Sequence, residues 1–83
     1  MKIRKKYGDK NLIGKRTFEI RISKGIKQKD FLARIQTLGV DMNPSSLSKL
    51  EGQNRIATDK EVKAIVEILD VSYEHLMGED TRA

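Results

Sequence analysis

The chain contains no cysteine and one histidine, His75. Without cysteine it has no disulfides and no thiolate metal ligands, which suits a reducing compartment. A lone histidine with no clustered carboxylates beside it in sequence offers neither a metal site nor a nucleophile–base pair. A glycine-rich phosphate loop is missing, and so is any paired acid/base spacing. An enzyme, a metal centre and a cofactor are therefore not expected. No apolar run approaches the roughly 20 residues of a membrane span, and the N-terminus lacks the apolar core of a secretion signal, so the expected place is the cytoplasm. The 83 residues, 37% hydrophobic and 35% charged, suffice for one small domain with a modest core.

Charge is plentiful and uneven. Residues 1–58 carry 14 Lys/Arg against 5 Asp/Glu, a net of +9, whereas residues 59–83 carry 3 against 7, a net of −4. Such a split predicts a basic binding side and an acidic far end. Residues 1–10 hold five Lys/Arg and one Asp and read as a basic arm, with Ile3 and Tyr7 as its only sizeable apolar anchors.

From Asn11 onward the pattern is helical. Asn11 can cap a first helix that runs to about Lys24 and is ended by Gly25. Ile13, Thr17, Ile20 and Lys24 share one face, and Arg21 sits at its edge. Phe18 and Ile22 lie almost opposite and need a cover, expected from the arm through Ile3 or Tyr7. A second helix opens at Gln28 and buries Phe31 and Ile35. A turn follows over 36–42, in which Leu38, Val40 and Met42 alternate as a short extended segment would. The third helix has the clearest start: Asn43 as N-cap and Pro44, the single proline, at the first helical position. Leu47 and Leu50 form its buried edge. Ser45, Ser48, Lys49 and Gly52 form a small, polar, basic edge that cannot build a core but can lie in a groove and donate hydrogen bonds. Thr58 and Glu61 make a capping box for a fourth helix with Val62, Ile65, Val66 and Leu69 inside. Ser72 caps a short fifth helix, with Leu76 and Met77 inward and Gly78 as its end.

Over residues 11–79 the chain resembles the lambda-repressor-like (XRE/Cro-type) helix-turn-helix family of DNA-binding regulators. The resemblance rests on Ile13-Gly14-Lys15-Arg16, Arg21, Lys24-Gly25-Ile26-Lys27-Gln28, Ser45-Ser46-Leu47-Ser48-Lys49-Leu50-Glu51, Thr58-Asp59 and Leu69-Asp70-Val71-Ser72. It implies an all-α, five-helix lambda-repressor-like DNA-binding domain, with residues 1–10 as an arm and 80–83 as a tail. The turn before the third helix is longer than in the commonest members, and Gly39-Val40-Asp41-Met42 resembles the extension that a subset carries. Leu32 stands where the family usually has Ala, which implies a wider crossing of the second and third helices, with Ala33 in part compensating. The usual Glu-Asn-Gly is here Glu51-Gly52-Gln53-Asn54, which puts the left-handed stop at Gly52 or Asn54.

The resemblance also implies sites. Base-reading positions fall on Pro44, Ser45 and Lys49, where Lys49 suits guanine O6 and N7 and Pro44 can meet only a thymine methyl; Ser48, a short and permissive hydrogen-bonder like Ser45, is a further candidate base contact. Gln28 at a helix N-terminus, flanked by Lys27 and Lys29, is placed for a phosphate, as are Gln53, Asn54 and Arg55. Glu51 would pair with Arg21 and lock the third helix to the first. Tyr73, His75 and Met77, near the end of the fifth helix, match positions that form a dimer contact in relatives. The expectation is a transcriptional regulator, a repressor, that binds double-stranded DNA as a homodimer on a palindromic site. The alternative is a protein-interaction module of the same fold, an antitoxin-like or anti-repressor partner, for which the weakly reading face and the Phe18/Ile22 stripe speak.

Overall fold

The structure is a computed structural model and describes residues 7–78. Ile3 and the rest of residues 1–6, Glu79 and the 80–83 tail lie outside the described residues. Five helices follow one another: α1 (Gly14–Ser23), α2 (Gln28–Thr37), α3 (Pro44–Glu51), α4 (Asp59–Leu69) and α5 (Tyr73–Met77), with no strand among the described residues. The all-α architecture expected from the sequence is the one observed.

Every helix but α2 begins where a side chain satisfies free amides. Asn43 Oδ1 accepts from the Ser46 amide (2.8 Å), with Pro44 at the first position of α3. Thr58 Oγ1 accepts from the Glu61 amide (3.2 Å) while a Glu61 carboxylate oxygen accepts from the Thr58 amide (2.9 Å), a complete capping box. Ser72 Oγ accepts from the His75 amide (3.0 Å). Asn11 Oδ1 accepts from the amides of Ile13 (3.0 Å) and Gly14 (2.8 Å), just ahead of α1. Gly25 and Gly78 hold positive φ after α1 and α5, as expected.

The helices bury their apolar stripes in one core. Phe31, Ile35, Leu47, Leu50, Ile65, Leu69 and Leu76 are fully buried, and Ile13, Leu32 and Met42 complete the cluster. Each large side chain of this kind contributes about 1.5–3 kcal/mol through removal from water. α2 packs on α4, and α1 touches α3, α4 and α5. The approach of α1 to α3 is close: a Cβ on Gly14 would run into the carbonyl oxygens of Leu50 and Glu51.

Several expectations need correction. α2 continues through Gln36 and Thr37, where Thr37 Oγ1 donates to the Ala33 carbonyl (2.9 Å). Leu38 is exposed, Val40 half-buried and Met42 buried, so the turn is not an alternating strand. The Gln36 amide group donates to the Met42 carbonyl (2.8 Å) and pins the turn to α2 instead. Ala33 is exposed and offers Leu32 no compensation at the core. Gly52 is buried and no part of the outer edge of α3. The left-handed residue after α3 is neither Gly52 nor Asn54 but Gln53, at φ 60°. The Asn54 amide donates to the Lys49 carbonyl (2.8 Å) and the Gln53 amide to that of Leu50 (3.0 Å), the paired bonds of a Schellman ending. On α1, Lys24 is exposed and Arg21 takes its place in the buried stripe beside Ile13, Gly14 and Thr17.

The folded part also starts earlier than Asn11. The Gly8 amide donates to the Gly52 carbonyl (2.8 Å) and the Lys10 amide to that of Gln53 (2.9 Å). The Gln53 side chain returns a bond to the Gly8 carbonyl (2.9 Å). Residues 8–10 are thus strapped to the end of α3. A Cβ on Gly8 would overlap the Gln53 carbonyl and the Asn54 side chain, which explains a glycine at the crossing.

Candidate nucleic-acid interface

α3 is short and two-faced. Leu47, Leu50 and Glu51 point inward and are buried, while Pro44, Ser45, Ser48 and Lys49 are exposed together on the other side. Period 3.6 makes this division, because 44, 45, 48 and 49 share a face that 47, 50 and 51 do not. Lys27 and Lys29, at the start of α2, are exposed as well.

Behind α3 lies an ion pair. Arg21 Nε donates to one Glu51 carboxylate oxygen (2.7 Å) and Arg21 Nη2 to the other (3.0 Å), with both residues buried. Arg21 Nη1 donates to the Ile26 carbonyl (2.9 Å), so the guanidinium also fixes the α1–α2 connection. The bidentate geometry sets both distance and rotation of α3 against α1. Phe18 lies over this guanidinium, ring centre to Cζ 5.3 Å. The half-buried Phe18 is therefore on the Arg21 side, where its ring covers the ion pair; Ile22 stays 54% exposed.

Gln28 joins the same group. Its Nε2 donates to Glu51 Oε1 (3.2 Å) and to Ser48 Oγ (3.3 Å). An amide nitrogen has two hydrogens, and both are directed at α3. The side-chain donor that would bind a phosphate is thus turned inward, and at the start of α2 the anion-attracting groups left facing outward are the backbone amides with Lys27 and Lys29.

Two further residues expected at phosphates are held inside the protein. Gln53 Oε1 accepts from the Lys15 amide (2.9 Å) while its Nε2 holds Gly8. Arg55 Nε donates to the Ser46 carbonyl (2.9 Å), and its two terminal nitrogens meet both Glu61 carboxylate oxygens (2.9 and 3.0 Å). Arg55 Nη1 also donates to the Ile56 carbonyl (2.8 Å). Its charge is matched by Glu61, and it braces the middle of α3 against the start of α4. Burial alone would raise the Glu61 carboxyl, but the bonds from Arg55 and Thr58 and the charge of Arg55 outweigh it and hold the group below its ordinary 4.5. Asn54 is exposed.

Sequence reasoning missed the second task of Asn11. Besides capping α1, its amide nitrogen donates to the carbonyls of Leu50 (3.1 Å) and Arg55 (2.8 Å) and so grips the end of α3. Its cap position gave no sign of a partner 39 and 44 residues away. Tyr7 is half-buried with Lys15 Nζ 5.9 Å from its ring centre. Burial pushes its hydroxyl pKa up, helped by the negative charges of Glu19 and Glu51.

At the other end, Tyr73 is 55% exposed and Met77 half-buried. They share a hollow with Leu12, Ile56 and Val62, and Leu12 and Ile56 are each 73% exposed. His75 is half-buried and is not part of that lining. Among the described residues no group of three or more His, Cys, Asp or Glu could hold a metal, and no helix is long and apolar enough to cross a membrane. Comparison with known families, curated proteins and solved structures finds no match.

Proposed function

We propose that the chain is a sequence-specific double-stranded-DNA-binding regulator of transcription, a cytoplasmic repressor, with α3 as the helix that enters the major groove. One observation carries the reading: the exposed face Pro44, Ser45, Ser48 and Lys49 belongs to a helix whose other side is fixed by a buried bidentate ion pair. Any surface helix has a buried back and a polar front; what α3 adds is a front of short polar side chains and one lysine on a back indexed by a bidentate ion pair. Base discrimination uses that indexing, because a hydrogen bond to a base edge tolerates only a few tenths of an ångström. Lys49 donates to guanine O6 and N7, and Ser45 and Ser48 make short polar contacts. Lys27, Lys29, Asn54 and the first amides of α2 sit on phosphates. Gln28 and Arg55 hold α3 in place instead. A homodimer on a palindromic site follows from the one-helix-per-half-site geometry, with Tyr73 and Met77 at the contact and His75 beside it.

The test is selection from random duplexes by wild type and Lys49→Ala at two salt concentrations. A palindromic motif that blurs at particular bases in the variant supports the reading. Weak, salt-sensitive binding without a motif overturns it in favour of a protein-interaction module. The exposed Leu12, Ile56 and Tyr73 around one hollow favour that second reading, and pull-down with the Leu12→Ser/Ile56→Ser variant as control tests it.

A further inference from the structure

The hydrogen bonds behind α3 run in one direction, and they end on the outer face. Arg21 Nη2 and Gln28 Nε2 both donate to Glu51 Oε1 (3.0 and 3.2 Å). A carboxylate only accepts, so Gln28 must turn its NH2 group, not its carbonyl, toward Glu51. The second hydrogen of that NH2 goes to Ser48 Oγ (3.3 Å). A hydroxyl has one hydrogen and two lone pairs. With Gln28 on one lone pair, the Ser48 hydrogen points elsewhere. Ser23 and Thr37 turn theirs back onto the carbonyls of Ile20 and Ala33 (2.8 and 2.9 Å). Ser48 has no such bond to any of the described residues, and it stands exposed between Ser45 and Lys49.

We infer that Ser48 is a specificity-determining residue polarised as a donor, and that Gln28 is the positioning residue that polarises it. The inference rests on the DNA-binding reading and deepens it. An unconstrained serine accepts or donates as the base requires and discriminates little. A serine with one lone pair already occupied and its hydrogen free is biased toward acceptors. In the major groove guanine offers N7 and O6, adenine N7 and thymine O4, whereas cytosine offers only the N4 amino donor. Cytosine is therefore the disfavoured base under Ser48. The chain of cause is Arg21 to Glu51 to Gln28 to Ser48, so a buried ion pair sets the chemistry of an exposed hydroxyl.

The experiment is selection from random duplexes with wild type, Ser48→Ala, Ser48→Thr and Gln28→Met, with circular dichroism to confirm that each is folded. The position facing Ser48 is the one whose preference Ser48→Ala changes. Wild type and Ser48→Thr deplete cytosine there about fivefold or more, the lower range for one mismatched pair. Gln28→Met brings cytosine back to within about twofold of the other bases at that position, a larger change than at any other position. Enrichment of cytosine under Ser48, or a Ser48→Ala motif identical to wild type, overturns the inference. A Gln28→Met variant that loses affinity evenly over all positions overturns it too, because Gln28 is then a phosphate or packing contact. Each of these leaves the DNA-binding reading standing. Wild type that selects no motif overturns that reading itself. Should Gln28→Met fail to fold, the two variants at exposed Ser48 still decide the cytosine preference.

Discussion

Replacing Glu51 with alanine removes one half of a pair that is closed from solvent on both sides. Glu51 is 1% exposed and Arg21 5%. The variant leaves a guanidinium in the interior with Nε and Nη2 unpaired, and strands the Gln28 donor aimed at the same carboxylate. Breaking a buried pair from one side costs about 3–5 kcal/mol, because the surviving charge stays where water cannot reach it. A domain of this length has a total stability of about 4–12 kcal/mol. The expected result is a variant that is unfolded, or melts about 12–40 °C lower at about 4–8 °C per kcal/mol. Urea titration followed by far-UV circular dichroism gives the difference directly. The companion is Arg21→Met/Glu51→Met, which removes both charges and fills the space; it regains most of the lost stability, since apolar replacement of a whole buried pair is close to neutral. A Glu51→Ala loss below about 1 kcal/mol would refute the reasoning, and with it the claim that the pair indexes α3.

Gly14→Val forces a side chain into the carbonyls of Leu50 and Glu51 and separates α1 from α3; a loss of about 2 kcal/mol or more in urea titration is expected, while Gly25→Ala, with no atom within 4 Å of its Cβ, shows only the milder cost of its positive φ. Thr17 Oγ1 is buried without a partner among the described residues, so Thr17→Val raises the melting temperature by several degrees, for a gain of about 1 kcal/mol. Glu61 has a lowered pKa in the fold, so its contribution is present above its ordinary 4.5 and is lost as pH falls through the lower folded value; the gap in melting temperature between wild type and Glu61→Gln closes as pH drops through that range.

The parts legible in the sequence are those decided within one turn of chain. Asn43, Thr58 with Glu61, and Ser72 are caps whose partners lie three residues away, and they and Pro44 at the first position of α3 stand where expected. Phe31, Ile35, Leu47, Leu50, Ile65 and Leu69 follow from helical periodicity alone. What was hidden is the destination of long polar side chains. Gln28, Gln53 and Arg55 each carry donors on flexible stems that reach solvent or an interior acceptor equally well, whereas the Arg21–Glu51 pair stands as the resemblance implied. The choice depends on which acceptor the fold brings near, 23 residues away for Gln28 and 45 for the Gln53 amide nitrogen. Arg55 left one trace: Glu61, at the third position of a capping box, turns a carboxylate back toward the residues just before the helix, within reach of a cation placed there. The Gln53 stop defeated the glycine rule because Gly52 is needed small for the Asn54 side chain folding over it, not for its backbone angle.

The strap of residues 8–10 completes a grip on α3 that has a thermodynamic consequence. Asn43 closes the front of the helix, Arg21 and Gln28 hold its underside, Arg55 its flank, and Gly8, Lys10 and Asn11 its rear. Eight residues held from every side but one have little conformational freedom left to lose. Whatever meets the open side meets a body already in its final shape. Association then shows a heat-capacity change in proportion to the surface covered and no excess from ordering, and affinity differences among partners reside in residence time rather than encounter rate.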